Sequence, residues 1–277
     1  MIYQKRIASI GLAAMILATT QFASAYSESV NFVNANLYLR VFAYERKDIE
    51  ALLFRPEGIG PFAAVILLHT CGGQRRMPHI THDWPNYLNK LGYVALVVNS
   101  YDSHNMRCRK MPVNELRAKL FNQSQDAFGG LDYLAGLDFV DRDRIAVMGF
   151  STGAISINLS VMYVNPRRWG RPKFKAALAA YGHCRRMLNR GYPGNAMPLL
   201  QIIAEHDTGM NASCLAVAKK NTSMQVLFLK NTYHGFDQSH IQGKRDDPHG
   251  NIIEYSSEAT EKTQNATKVF LTKHLGK

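Results

Sequence analysis

The stretch Phe62-Ala63-Ala64-Val65-Ile66-Leu67-Leu68 contains no polar side chain. A strand of that composition fits where both faces of a sheet are covered, because a sheet with one wet face alternates apolar and polar residues. Largely apolar runs recur at Tyr93–Val98, Arg144–Met148, Phe174–Ala180, Leu199–Ala204 and Met224–Leu229. Between these runs lie stretches that read as helices: Asp83–Leu91, which Gly92 stops, then Val113–Leu137, Ala154–Val161, Ser213–Lys220 and the closing Ser256–His274. Such alternation predicts an α/β fold whose central sheet is mostly parallel, with helices on both faces. Ahead of it, Leu37–Tyr44 and Asp48–Phe54 read as an antiparallel pair around Glu45-Arg46-Lys47. No internal repeat, low-complexity tract or linker divides the chain, so residues 26–277 are expected to form a single α/β domain.

Open parallel sheets bind ligands beyond the carboxyl ends of their strands. The segment Gly149-Phe150-Ser151-Thr152-Gly153 falls at such an end, between the strand through Met148 and the helix from Ala154. A serine on so tight a turn takes a strained backbone, and flanking glycines allow the close approach that holds it there. Ser151 is therefore the candidate nucleophile. It needs a base, and the base needs an orienting carboxylate. Asp207 follows the strand Leu199–Ala204 and His234 follows Met224–Leu229, which gives the chain order Ser151, Asp207, His234 of α/β-hydrolases. Glu205 and Asp237 are rival carboxylates and His206 the rival base. For a developing oxyanion the candidate donors are the backbone N–H of Thr152, at the helix start, and that of Cys71, in the loop His69-Thr70-Cys71-Gly72-Gly73. The expected pocket walls are Gln74–Ile80, Tyr101–Met111 and His183–Met197, with Met77, Met106, Met111, Met187 and Tyr192 as an apolar lining.

Residues 1–25 have the form of a cleaved secretory signal peptide: Lys5 and Arg6, an apolar stretch from Ile7 to Ala18, then Ala23-Ser24-Ala25. The apolar stretch is short for a bilayer span, so no integral membrane segment is expected after cleavage, and export to a periplasm or beyond is. Four cysteines in an exported chain allow three pairings. Cys71 with Cys108 and Cys184 with Cys214 is the favoured set, since each pair lies in loops after neighbouring strands. Zinc is the competing use of Cys71 and Cys184, beside His69 and His183, but neither pair has structural-zinc spacing. Lys and Arg total 33 against 21 acidic residues, a net charge of +12. The basic residues are read as scattered, with Arg75, Arg76, Arg107, Arg109 and Lys110 the nearest thing to a cluster, so no nucleic-acid partner is expected.

Leu68-His69-Thr70-Cys71-Gly72-Gly73, Gly92-Tyr93, Val98-Asn99-Ser100-Tyr101, the Ser151 pentapeptide, Glu205-His206-Asp207 and Tyr233-His234-Gly235-Phe236 together resemble the dienelactone hydrolase family of α/β-hydrolases. The resemblance runs from about Ala51 to Leu275. It implies an α/β-hydrolase domain, no metal or organic cofactor, and hydrolysis of a small-molecule ester or lactone through an acyl-enzyme. It implies the triad at Ser151, Asp207 and His234 and the oxyanion donors at Cys71 and Thr152. Two residues depart from the founding members: Ser151 stands where they have cysteine, and Thr70 where they have glutamate. An exported serine hydrolase of a carboxylic ester, thioester or lactone is the expected activity. A prolyl-peptidase-like hydrolase and a non-catalytic binding protein on the same scaffold are the alternatives.

Overall fold

The computed structural model describes residues 26–37, 45–107, 113–165, 168, 170–192, 197–247 and 249–276. Strands β1 (Tyr26–Val33), β2 (Asp48–Arg55), β3 (Phe62–Leu68), β4 (Val94–Val98), β5 (Val140–Phe150), β6 (Ala176–Ala180), β7 (Leu199–Ala204) and β8 (Met224–Leu229) form one sheet. Their order is β1-β2-β4-β3-β5-β6-β7-β8. β1 and β2 pair antiparallel with each other, as does β2 with β4, and every later pairing is parallel.

The uninterrupted apolar strands are buried on both sides, as their composition requires. Ala64, Ile66, Leu68, Leu96 and Val147 face one core, and Val65, Leu67, Ala95, Val97 and Met148 face the other. The first core is closed by α3 (Val113–Leu134), by α4 (Thr152–Ser156), which continues through a π-helical turn (Ile157–Val161) into α5 (Met162–Val164), and by α6 (Arg185–Arg190) and α7 (Thr208–Ala218). The second is closed by α1 (Trp84–Lys90) and α8 (Ser257–Leu275). A short helix, α2 (Ser100–Ser103), follows β4, and a two-residue hairpin, β9 (Arg245–Asp246) with β10 (Ile252–Ile253), precedes α8.

One expectation fails at the leading edge. The partner of β2 is Tyr26–Val33 rather than Leu37–Tyr44; Leu37 lies in irregular chain, and residues 38–44 fall outside the described residues. Phe32 packs into the α3 core, as Leu37 does, while Asn34 ties the chain back by donating to the Glu45 carbonyl and accepting from the Lys47 N–H. The two glycines inside α3 belong to the same contact. A Cβ on Gly129 would stand 2.5 Å from the Val33 carbonyl oxygen, so glycine is what lets the helix lie against the end of β1. The stretch from Arg167 to Lys175 is a denser basic run than the one at Arg75-Arg76. Arg168 and Arg171 both bind Asp132, and Arg171, Lys173 and Lys175 are exposed. No described helix is long and apolar enough to cross a membrane.

Cys184 and Cys214 form a disulfide that joins the loop after β6 to α7, both cysteines being fully buried. Cys71 is also disulfide-bonded, and its expected partner Cys108 lies outside the described residues. Neither Cys71 nor Cys184 is thus a free thiolate for zinc. The Cys184–Cys214 bridge spans 30 residues of sequence, and a loop of that length corresponds to about 3–4 kcal/mol of chain entropy. The double variant Cys184→Ala/Cys214→Ala is expected to melt on the order of 10 °C lower. An unchanged melting temperature would show that the bridge constrains nothing.

Candidate active site

Ser151 sits between β5 and α4 with φ 51° and ψ −110°, a conformation rare for a residue with a side chain. Two contacts hold it there. Ser151 donates its backbone N–H to the Ala180 carbonyl at the end of β6, and its own carbonyl accepts from Ile155. The turn needs hydrogen on both flanking α-carbons. A Cβ on Gly149 would fall 2.5 Å from the Gly153 carbonyl carbon, and one on Gly153 would fall 2.3 Å from the Leu68 carbonyl oxygen. Both clashes are with backbone, which cannot rotate away.

The loops after β7 and β8 bring the other two residues to Ser151. His234 Nδ1 lies 2.7 Å from Asp207 Oδ2, and His234 Nε2 lies 3.0 Å from Ser151 Oγ. Asp207 as carboxylate only accepts, so Nδ1 carries the proton and Nε2 is left to accept from the serine hydroxyl. All three are nearly or fully buried, at 9 % exposure for Ser151 and 4 % each for Asp207 and His234. Asp207 heads α7, yet its side chain makes no cap bond and is spent on His234.

The rivals have other partners. Glu205 accepts the Asn231 N–H at 2.7 Å. His206 is exposed and stacks on Tyr233. Asp237 is buried and accepts from the Trp84 indole and the Tyr181 hydroxyl, each at 2.7 Å.

Thr152 and Cys71 both face the cavity that holds Ser151 and His234. Thr152 is the first residue of α4, where the N–H has no acceptor within the helix. In the loop after β3, Thr70 closes the turn: its hydroxyl accepts from Gly72 N–H and its carbonyl from Gly73 N–H. His69 braces the same loop. It is fully buried, and burial pushes its imidazole down to about 4, outweighing the opposite pull of the Thr70 carbonyl and the Asp102 charge. The neutral ring donates from Nδ1 to the Thr70 carbonyl at 2.6 Å and accepts the Tyr101 N–H at Nε2, 3.4 Å away. The His69 carbonyl accepts from Gln123, which also takes the Ser156 hydroxyl bond, so the loop is tied to α3 and to α4.

The cavity has a volume of about 1080 Å³. Two of its expected walls are in place, through Arg75–Met77 and through Tyr101 to Arg107. The third is not. No described residue of His183–Met197 reaches it; Met187 is buried in the α3-side core and Tyr192 packs against that core. Met111 and Arg109 lie outside the described residues. The opposite wall comes instead from Gln238, His240 and the β9–β10 hairpin, with Arg245, His249 and Ile253. A bridge between His234 and Ile253 and a 3.1 Å contact from His249 Nε2 to Cys71 Sγ lay this segment across the site. The segment is polar and aperiodic, so only the length of chain between His234 and the last helix could have pointed to it.

A mostly parallel sheet of this order, with a strained serine after β5, an acid after β7 and a histidine after β8 at its carboxyl edge, defines an α/β-hydrolase. The profile of the dienelactone hydrolase family matches residues 49–275. The chain belongs to that family and is a hydrolase of the carboxylic-ester class. No curated protein matches it in sequence. Among solved structures it is similar to dienelactone hydrolase from Anabaena variabilis, with 13% identity, TM-score 0.61, and cover of 91% of this chain and 100% of that one. A dienelactone hydrolase-like promiscuous phosphotriesterase from metagenomic libraries is 14% identical, with TM-score 0.62 and cover of 92% and 100%. A hyperthermophilic esterase from the archaeon Pyrobaculum calidifontis is 16% identical, with TM-score 0.57 and cover of 91% and 87%. At these identities the likeness is one of fold.

His69 gives the site a pH signature. Its folded value of about 4 lies below the ordinary 6.5, so below pH 6.5 protons bind the unfolded chain preferentially. Its contribution to stability is whole above pH 6.5 and is lost as the pH falls toward 4. Between pH 7 and pH 4.5 the protein is expected to lose roughly 2 kcal/mol more unfolding free energy than His69→Asn. Denaturant titrations at the two pH values check this, and equal losses would contradict it.

Proposed function

We propose that the chain is an exported serine hydrolase that cleaves a carboxylic ester, thioester or lactone through an acyl-enzyme on Ser151. The observation that carries the reading is His234, which stands 2.7 Å from Asp207 on one ring nitrogen and 3.0 Å from Ser151 on the other. Those are the distances at which an imidazole can take a serine proton as the hydroxyl attacks.

In this reading Ser151 Oγ adds to the substrate carbonyl while its proton passes to His234 Nε2. Asp207 holds the Nδ1–H and stabilises the imidazolium. The oxyanion that forms lies against the backbone N–H groups of Cys71 and Thr152. As the tetrahedral adduct collapses, His234 returns the proton to the leaving oxygen or sulfur and an acyl-Ser151 remains. Water, deprotonated by His234, then releases the acid and restores the serine. Each step needs the same three side chains and no movement of the elbow. The cavity is lined by charges of both signs: Arg76, Arg107 and Arg245, Arg75 engaged with Glu50 and Asp102, and the carboxylates Asp246 and Asp247.

Export and cleavage after Ala25 are part of the proposal. The buried Cys184–Cys214 disulfide suits an oxidising compartment.

A fluorophosphonate probe is expected to label the wild type at Ser151 and to leave Ser151→Ala unlabelled. On a panel of p-nitrophenyl esters, Asp207→Asn is expected to lower kcat by about 10³–10⁴-fold, because an amide favours the wrong imidazole tautomer. Peptide amides are expected to remain intact. A folded wild type that neither labels nor turns over any ester would refute the assignment.

A further inference from the structure

Tyr181 is the residue immediately after β6, and its backbone is out of the ordinary. With φ at 43° it holds a left-handed conformation that bulky aromatic residues avoid. Strain of this kind persists only where the surroundings impose it, and it gathers at functional sites. Here the surroundings can be named. The Tyr181 N–H donates to the Ile202 carbonyl at 2.9 Å, and the hydroxyl donates to Asp237 Oδ1 at 2.7 Å. The other oxygen of Asp237 accepts the Trp84 indole N–H at 2.7 Å. Asp237 is 2 % exposed and Tyr181 1 %, so this is a buried polar knot of one carboxyl and two neutral donors. Burial, together with the nearby Asp237 and Asp207 charges, pushes the Tyr181 phenol well up, and the hydroxyl is a permanent donor.

The knot touches the catalytic residues on two sides. The Tyr181 ring lies edge-on to the His234 imidazole, with centroids 4.8 Å apart, and also meets Phe236 at 5.4 Å. One residue earlier, the Ala180 carbonyl receives the Ser151 N–H at 3.0 Å. Asp237 stands three residues past His234 in the same loop, and Trp84 ties it to α1. Swinging the Tyr181 ring would therefore free the imidazole to turn and would pull on the strand end that anchors Ser151.

We propose that Asp237 is a positioning residue for the reaction: through the Tyr181 hydroxyl it keeps the Tyr181 ring against His234, which fixes the plane in which Nδ1 meets Asp207 and Nε2 meets Ser151. The inference rests on the Ser151–His234–Asp207 reading. A role in stability alone would cost melting temperature and leave turnover per folded molecule intact. A role in positioning costs turnover.

The experiment compares the wild type with Tyr181→Phe, Asp237→Asn and the double variant on p-nitrophenyl acetate, with the fluorophosphonate labelling of the wild type as reference. Tyr181→Phe keeps the ring and removes only the hydroxyl. Each single variant is expected to lower kcat about ten- to a hundredfold, as a misplaced reacting group does, with KM within about twofold. The double variant is expected to be no worse than the more severe single one, because both act through one contact. The far-downfield proton resonance of the His234–Asp207 hydrogen bond is expected to shift or broaden in both. Folded variants whose kcat stays within about twofold of the wild type would overturn the inference, as would effects that multiply in the double variant. Should Asp237→Asn fail to fold, Tyr181→Phe decides alone. An inert, unlabelled wild type would instead bring down the hydrolase reading and this inference with it.

Discussion

Everything in the site depends on how closely two pieces of backbone approach each other at Gly149 and Gly153. Gly149 packs on Gly153, and Gly153 packs on the carbonyl of Leu68, at separations where no Cβ could be accommodated. That contact turns the chain from β5 into α4 within a single residue and leaves Ser151 in its strained conformation. It also fixes the elbow against the end of β3, where the loop from His69 to Gly73 begins. The serine and one of its proposed oxyanion donors are thus positioned by the same close contact. In that strained conformation the Ser151 hydroxyl lies 3.0 Å from His234 Nε2.

Around that point the fold fastens each loop with buried polar bonds rather than with length or charge. Thr70 and the neutral His69 shape the loop after β3, and Gln123 and Ser156 tie it to two helices. Asp207 spends its carboxylate on His234 rather than on the helix it heads. Such groups are costly to bury unless satisfied, and once satisfied they admit few alternative arrangements. The result is an Asp207–His234–Ser151 hydrogen-bonded line beside a wide cavity.

Much of this was legible in the sequence because the information is local. Apolar runs such as Phe62–Leu68 announce doubly covered strands, and a Gly-x-Ser-x-Gly at a strand-to-helix junction carries its own mechanics. Asp207 and His234 could be picked out because each follows a strand closely. The failures are all non-local. Tyr26–Val33 carries Ser27, Glu28, Ser29 and Asn31 and lacks the apolar run that marks the central strands, so its pairing with β2 could not be read from its own residues. The cavity wall from Gln238 to Ile253 has no periodicity to read, and its place is set by the bridge between Ile253 and His234. Asp237 read as a rival carboxylate for His234, and its actual partner Trp84 lies 153 positions away.

The central claim is that Ser151 becomes covalently acylated, and trapping that intermediate tests it most directly. Mixing the enzyme with excess p-nitrophenyl acetate and quenching in acid at successive times should show a burst approaching one p-nitrophenol per chain. The quenched protein should carry one acetyl group, and peptide mass mapping should place it on Ser151. Turnover of the ester with no burst and no acyl adduct, or with the acyl group on another residue, would contradict the account.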